Sequence, residues 1–269
     1  MRFFKNWKTL NNRFITFLTN RLGDIFFFFF ITTFFFNFNF FFFKIINFFL
    51  ILLRLTKRAQ YPFSSWLPAA ISAPTPVSSL VHSSTLVTAG VYIILFFSFF
   101  LNKIILKIFF FFSLLTIFFA GILGIYEKDF KKLVAFSTIS QIGFLFLILS
   151  NLKIFLTFFH LFSHAFFKRL LFLRVGSILH SSNSDQETRR FFKNLNLNFF
   201  VKLNINLTSF NLIGLFFLRG FFSKDIFIIN NFKIFNFFFF FIILIFLTFF
   251  YSLKIFFFLL NFRKKKKRK

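Results

Sequence analysis

Long apolar stretches recur along this 269-residue chain, and they constrain its fold more than any other feature. Phenylalanine alone supplies 65 residues, and 58% of all residues are hydrophobic, which is more than a soluble core of this size can bury. An α-helix needs about 20 mainly apolar residues to cross the ~30 Å hydrocarbon core of a bilayer. The phenylalanine runs do not alternate with polar residues as membrane β-strands do. The sequence therefore predicts an all-α, polytopic membrane helix bundle.

About eight spans are expected in this bundle, separated by short polar or charged segments. They cover approximately residues 25–36, 40–55, 77–101, 104–125, 133–149, 154–179, 199–218 and 234–260. The first stretch is short for a crossing, so its helix can extend at either end. This division predicts three parts, which are a polar N-terminal segment (1–24), the transmembrane bundle (25–260) and a basic C-terminal tail (261–269).

The basic residues lie mostly at the ends of the apolar stretches. A net charge of +27 would suit a nucleic-acid-binding protein, but the lysines and arginines form no stripe on a soluble fold. Membrane proteins place such residues beside their spans, where lipid headgroups attract them. We therefore expect lipids, and no nucleic acid, among the partners of this chain. The absence of cysteine excludes disulfides and Cys-ligated metal centres.

Two discontinuous helices are expected, near residues 57–76 and near residues 219–225. The first expectation rests on the four prolines of the chain, which are Pro62, Pro68, Pro74 and Pro76. Proline removes a backbone donor and interrupts helical hydrogen bonding. Membrane proteins tolerate such a break where protein or a water-filled cavity satisfies the freed groups, and transporters build ion sites there. A kinked loop between two ordinary spans is the structural alternative.

Ionisable residues inside the apolar stretches are candidates for a proton path, because each costs about 2.5–3.5 kcal/mol to place in a membrane. Their positions alone select Lys57, His82, His160, His164 and Lys168. The last three are spaced i, i+4, i+8 and share one helix face about 12 Å long. Histidine titrates near neutral pH and a buried lysine can lose its proton, so such groups can exchange protons through bridging waters.

Structural alternatives exist for each of these candidates. His82 can be an ordinary interior histidine, and the His160–His164 pair has the spacing of two metal ligands, although no Asp or Glu is nearby. Lys224 and Asp225 are expected at the second break, with Gly220 as its flexible point and the Asp225 charge acting on Lys224. An ordinary exposed ion pair at a helix end is the alternative there.

Several segments of the chain resemble, in order, those of the chain 5 family of mitochondrial NADH–ubiquinone oxidoreductase (respiratory complex I). The longest match runs for about thirty positions from Ala59 to Tyr92. Shorter matches are Asn20–Asp24, Asp129–Gly143, His160–Leu173, Gly220–Asp225 and Tyr251–Lys254. The resemblance covers nearly the whole chain but only the middle of the family, whose early helices include a buried Glu that pairs with the lysine of the first broken helix.

The resemblance implies a set of residues for proton translocation and no catalytic, cofactor-binding or metal-binding residue. The implied proton axis consists of Lys57, His82, Lys131, His160, His164, Lys168, Lys224 and Asp225. Supporting residues are Arg21, Asp24, Pro62, Pro74 and Pro76. The chain departs from the family at Arg58, Arg169 and Arg174, which add charge where the family has small or apolar residues.

The resemblance also implies a function, a location and partners. The chain would be a proton-pumping subunit of NADH:ubiquinone reductase in the mitochondrial inner membrane, without a redox centre of its own. NADH, FMN, iron–sulfur clusters and ubiquinone would bind elsewhere in the complex. Partners would be other membrane-arm subunits, and either separate chains would supply the early and late helices or the subunit would be a reduced one. The alternatives are a cation/proton antiporter subunit and a structural fragment of the complex that does not pump.

Overall fold

The computed structural model describes residues 7–36, 40–71, 73–79, 86–98, 101–181, 199–215, 217–231 and 235–261. Within these ranges the chain forms eleven helices, which confirms the all-α fold class. They are α1 (Trp7–Phe36), α2 (Phe40–Lys57), α3 (Trp66–Ala70), α4 (Thr75–Val77), α5 (Leu86–Phe96), α6 (Lys103–Tyr126), α7 (Phe130–Ser150), α8 (Ile154–Ser181), α9 (Phe199–Ile213), α10 (Arg219–Asn231) and α11 (Phe235–Asn261).

Helix α7 is the centre of the bundle. It packs against α6, α8, α3 and α11, and all of its residues except Lys132 and Phe144 are buried. Its sequence is mostly apolar on every side, as expected for a helix surrounded by other helices. Its hydroxyl side chains bond within the helix, for example Ser137 to the carbonyl of Val134 at 2.7 Å. Side chains of α7 are therefore placed to contact most of the bundle.

Five of the described helices are long and apolar enough to cross a membrane. These stretches are Thr9–Thr33, Lys103–Tyr126, Phe130–Ser150, Ile154–His180 and Phe240–Phe257. They correspond to the first, fourth, fifth, sixth and eighth expected spans. The first differs from its expected bounds because α1 begins at Trp7, which places residues 7–24 in the same helix as the apolar residues after them. Helices α2, α5 and α9 lie in the remaining three expected spans.

Both expected helix breaks are present. Helix α2 ends at Lys57, and the short helices α3 and α4 lie between it and α5. The second break lies at residues 214–218, a few residues earlier than expected. Gly214 has a φ of +84° there, which glycine adopts without steric cost. Gly220 lies in the first turn of α10 instead, and its amide donates to Oδ1 of Asn211 at 2.9 Å.

The faces of α8 illustrate how the bundle is arranged for lipid. Its outward side chains include four aromatic ones that are at least half exposed, namely Phe155, Phe158, Phe162 and Phe166. Its inward side chains are polar and buried, namely Thr157, His160, His164 and Lys168. Apolar groups outside and ionisable groups inside is the arrangement that a bilayer favours, because a charged side chain facing lipid costs several kcal/mol. The site residues of α8 therefore point into the protein.

Candidate proton-translocation site

Lys57, the last residue of α2, forms an ion pair with Asp24 of α1. Its Nζ donates to Oδ1 of Asp24, and Nη1 of Arg21 lies 3.6 Å from Oδ2 of the same carboxylate. Helix α1 can approach because Gly23 faces the lysine, where a Cβ atom would lie 2.9 Å from Cε of Lys57. The pair is partly open, with 22% of the Lys57 side chain and 37% of the Asp24 side chain exposed. Lys57 thus has an acidic partner within this chain.

The connection after Lys57 is shaped by its prolines and by Trp66. The indole Nε1 of Trp66 donates to the carbonyl of Thr56 at 2.9 Å, so the end of α2 keeps a hydrogen-bond partner. The peptide bond before Pro62 is cis. Pro74 precedes α4 and Pro76 lies in its first turn, where the missing amide costs no helical hydrogen bond. The three supporting prolines therefore all lie between α2 and α5.

Lys131, in the first turn of α7, contacts the same connection. Its Nζ donates to the carbonyl of Ala73 at 3.2 Å, and its side chain is buried. Six residues later on α7, the hydroxyl of Ser137 accepts a hydrogen bond from Nζ of Lys168 at 2.6 Å. At 1.5 Å per residue, Lys131 and Ser137 are about 9 Å apart along the helix. Helix α7 therefore lies between the first break and the polar stripe of α8.

The stripe on α8 is buried along its whole length. His160 is 3% exposed, His164 is 5% exposed and Lys168 is fully buried. Nδ1 of His160 lies 2.7 Å from the hydroxyl of Ser223 on α10, and which of them donates depends on the tautomer. In the described chain, both ring nitrogens of His164 and Nε2 of His160 have no hydrogen-bond partner. The stripe thus keeps buried donor and acceptor capacity that can serve proton transfer.

Lys224 joins the two halves of the second broken helix. Its buried Nζ donates to the carbonyls of Leu212 at 2.6 Å and Ile213 at 3.4 Å, which are the last residues of α9. A cation is favourable at a helix C-terminus, where carbonyl groups are unpaired. Asp225 is half-buried, and among the described residues it forms no ion pair with Lys224. Lys224 is therefore held by backbone carbonyls.

Most of the charged and histidine residues expected at the site lie in one of two groups. The α1–α2 group consists of Arg21, Asp24 and Lys57. The α8–α10 group consists of His160, His164, Lys168 and Lys224, with the hydroxyl partners Ser137 and Ser223. No direct hydrogen bond joins the groups in the part of the chain that the structure describes. His82 lies outside the described residues.

Sequence reasoning missed several polar contacts around these groups. Ser137 and Ser223 bind site residues, and the Tyr251 hydroxyl accepts bonds from Ser140 at 3.0 Å and Gln141 at 3.1 Å. The segments Asp129–Gly143 and Tyr251–Lys254 both belong to the resemblance, and their occurrence in one chain was the available sequence signal for this contact. Serine and tyrosine by themselves give no such signal, because hydroxyl side chains are common in membrane helices.

The described chain offers no further metal ligand beside His160 and His164. No group of three or more His, Cys, Asp or Glu side chains is close enough there to hold an ion. His160 instead bonds Ser223 and packs edge-on against Phe144, with ring centroids 5.3 Å apart. The arrangement is suited to relaying protons between buried nitrogen and oxygen atoms.

Comparisons with known proteins agree with the resemblance read from the sequence. The family model for the transmembrane part of NADH:quinone oxidoreductase/Mrp antiporter proteins matches residues 1–250. NADH-ubiquinone oxidoreductase chain 5 of Caenorhabditis elegans is 44% identical over 246 residues, covering 87% of this chain and 46% of the nematode protein. The chain thus spans about half the length of the curated relatives it matches.

Two solved structures share the fold. One belongs to the Mrp complex of Dietzia sp. DQ12-45-1b, with 27% identity and a TM-score of 0.65 over 82% of this chain and 25% of that chain. The other belongs to the membrane-bound sulfane sulfur reductase, an archaeal respiratory membrane complex, with 19% identity and a TM-score of 0.68 over 80% of this chain and 46% of that chain. Eukaryotic relatives and five apolar helices support a multi-pass protein of the mitochondrial inner membrane. The chain belongs to the NADH:quinone oxidoreductase/Mrp antiporter transmembrane family.

Proposed function

We propose that this chain is a proton-translocating membrane subunit of NADH–quinone oxidoreductase and that protons cross through the α8–α10 group. The observation that carries the proposal is the burial of two histidines and two lysines between α7, α8 and α10. Such residues are costly inside a membrane and mark proton pathways when they face the protein interior. The chain would share in NADH:ubiquinone reductase activity without carrying the redox chemistry.

The geometry provides a sequence of groups that can exchange a proton. Lys168 and His164 are separated by one helical turn, as are His164 and His160, so each step is about 6 Å along α8. His160 contacts Ser223, which precedes Lys224 on α10. Rotation of the Ser223 hydroxyl lets it donate to or accept from the imidazole, since a hydroxyl has both capacities. The pathway therefore runs from Lys168 through the histidines to Lys224, with water completing the longer steps.

The α1–α2 group would act on the uptake side, together with His82. Asp24 holds Lys57 and Arg21 at once, so movement of α1 relative to α2 changes the charge around Lys57. Lys131 lies between this group and Ser137 on α7. Buried charges interact over several ångströms because the interior has a low dielectric constant. A change in the Lys57–Asp24 ion pair can thus alter the free energy of protons on the α8–α10 group.

The rest of the complex would supply the oxidation chemistry and the remaining helices. We infer that NADH, FMN, the iron–sulfur clusters and ubiquinone bind to other subunits. Membrane-arm subunits would be the direct partners, because the matched relatives and structures belong to multi-subunit respiratory membrane complexes.

The test is Lys168→Met in the assembled membrane complex. We expect proton pumping and NADH–quinone activity to fall together by about tenfold or more, because the substitution removes a titratable group from the axis. Lys107→Met, at an exposed lysine of α6, is the matched control and should leave both rates unchanged. Full pumping with Lys168→Met in an assembled complex would contradict the proposal and favour a structural fragment.

A cation/proton antiporter subunit is the second candidate function. The likeness to a chain of the Mrp complex, at 27% identity, favours it. The two functions differ in what drives the protons. Sealed vesicles that acidify on NADH addition without any sodium gradient would support the respiratory subunit. Proton movement that requires an opposing sodium gradient and ignores NADH would support the antiporter.

A further inference from the structure

Two arginines are buried inside the bundle next to the first helix break. Arg54 lies in the last turn of α2 and Arg58 directly follows its end, and they are 2% and 0% exposed. The Arg54 guanidinium carbon lies 3.3 Å from the ring centroid of Phe109 and 4.0 Å from that of Phe146. The Arg58 guanidinium carbon lies 4.9 Å from the centroid of Phe146. Arg54 therefore points toward α6 and α7, and Arg58 points toward α7.

The two guanidinium groups have no hydrogen-bond partner in the described chain. All three side-chain nitrogens of each arginine are buried and unpartnered. A guanidinium does not lose its proton in proteins, so both groups carry charge. A cation–π contact contributes up to about 2 kcal/mol when desolvated, whereas burying an unpaired charge costs several kcal/mol. The aromatic rings alone thus do not offset the burial of two neighbouring positive charges.

The acidic side chains in the described ranges either pair with another residue or lie in other parts of the fold from Arg54 and Arg58. Asp24 pairs with Lys57, which leaves α2 toward α1, on a different side from Phe109 and Phe146. Glu127 and Asp129 lie in the connection between α6 and α7, and Asp225 lies on α10. None of these acids forms an ion pair with Arg54 or Arg58 in the described ranges.

Helix α5 leaves space for the Arg58 side chain at Gly90. A Cβ atom at Gly90 would lie 2.5 Å from Nε and 2.6 Å from Nη2 of Arg58, so a larger residue would displace the guanidinium. Next to the pair, the Nε2 amide of Gln60 is also buried without a partner, while its Oε1 accepts from Thr116 at 2.8 Å. Three side chains in this region therefore present unused donors in an interior with little water.

We propose that Arg54 and Arg58 together bind one anionic group where α2 meets α6 and α7. The ligand is a carboxylate of a protein side chain or a small inorganic anion of chloride size, since either accepts several charge-assisted N–H bonds. The site uses none of the residues of the proton axis, although Arg58 directly follows Lys57 in the chain, and its anion would hold α2 against α6 and α7 beside the first break.

Chloride titration tests the inorganic source. The purified assembly is melted in chloride or gluconate at constant ionic strength. An inorganic ligand should raise the midpoint of thermal unfolding as chloride increases, and Arg58→Met should weaken that response by about tenfold in apparent affinity. Lys107→Met, which removes an exposed cation from α6, should respond as the wild type does. This titration of the wild type needs no variant to fold.

Cross-linking tests the carboxylate source. Arg58→Lys keeps the charge and introduces an amine that an apolar carbodiimide can couple to a carboxylate in direct contact. A protein ligand should give one amide cross-link from position 58 to an Asp or Glu, identified by mass spectrometry, with none at Arg58 of the wild type. Either positive result supports the proposal and identifies the source. A chloride-independent wild type together with no cross-link overturns it, as does a chloride-dependent wild type whose response Arg58→Met leaves unchanged.

Discussion

The α1–α2 group and the α8–α10 group differ in what their lysines bind. Lys57 bonds the carboxylate of Asp24 on a neighbouring helix and is partly open to the surface. Lys168 and Lys224 are buried and bond neutral oxygens, which belong to Ser137 and to the end of α9. The first group therefore pairs its lysine with a carboxylate, whereas the second accumulates positive charge inside the bundle.

This difference assigns separate tasks to the two groups. A partly exposed ion pair contributes only about 0–1 kcal/mol, so it can open and close without endangering the fold. Buried cations with neutral partners are sensitive to every nearby charge, because little water screens them. We therefore expect substitutions in the α8–α10 group to affect both stability and pumping strongly, and substitutions in the α1–α2 group to affect stability little.

The largest effect is expected from Gly220→Ala, which tests whether the α8–α10 group depends on close packing of α9 and α10. The new Cβ would lie 2.1 Å from the backbone oxygen of Asn211, so the helices must separate. We expect a loss of about 3 kcal/mol in unfolding free energy, measured by thermal melting of the assembly. Gly124→Ala is the control, because its Cβ would be 3.6 Å from its nearest neighbours. Equal melting of the two variants would contradict the packing role.

Ser137→Ala is expected to come next, because it removes the oxygen that Lys168 bonds. A hydrogen bond to a charged group contributes about 1.5–3 kcal/mol, so the unfolding free energy and the pumping rate should both fall. Ser150→Ala removes a similar buried hydroxyl of α7, one that bonds the carbonyl of Leu147 at 2.7 Å. If both serine variants pump and melt alike, the neutral partner of Lys168 has no special role.

Tyr251→Phe tests whether the polar contacts between α7 and α11 belong to the proton axis or only support it. The substitution removes the acceptor for Ser140 and Gln141 and should cost about 1 kcal/mol. We expect lower thermal stability with an unchanged number of protons per NADH. Tyr126→Phe, at an exposed tyrosine, should change neither quantity. A lower proton ratio in the Tyr251 variant would extend the α8–α10 group to α11.

The smallest stability effect is expected from Asp24→Asn, which breaks the ion pair of the α1–α2 group. Because the pair is partly exposed, the unfolding free energy should change by at most about 1 kcal/mol, while pumping should fall. Lys132→Gln serves as the control for pumping. It breaks a comparably exposed ion pair, in which Nζ of Lys132 lies 3.1 Å from Oδ2 of Asp129. A stability loss as large as that of Ser137→Ala would remove the distinction between the groups.

The amino-acid sequence by itself determined the class of fold, the first break and most of the polar stripe. Apolar length decides whether a helix can cross a bilayer, and proline decides where backbone hydrogen bonding stops, so the fold class and the first break can be predicted without knowledge of packing. The alignment of His160, His164 and Lys168 is likewise a property of helix geometry alone. The first helix begins earlier than expected because polar residues such as Asn12 and Asn20 do not interrupt a helix that packs against a neighbour.

Only the tertiary structure decided which groups these residues meet. Asp24 and Lys57 are 33 residues apart, His160 and Ser223 are 63 apart, and no local pattern pairs them. The second break lies at Gly214 instead of the expected Gly220, because Gly220 contacts Asn211 from within the first turn of α10. Arg54 and Arg58 are a further case, because their positions at the end of α2 follow from the sequence but only packing buries both side chains. Local geometry follows from neighbours in sequence, whereas the partner of a buried charge depends on helices that are distant in the chain.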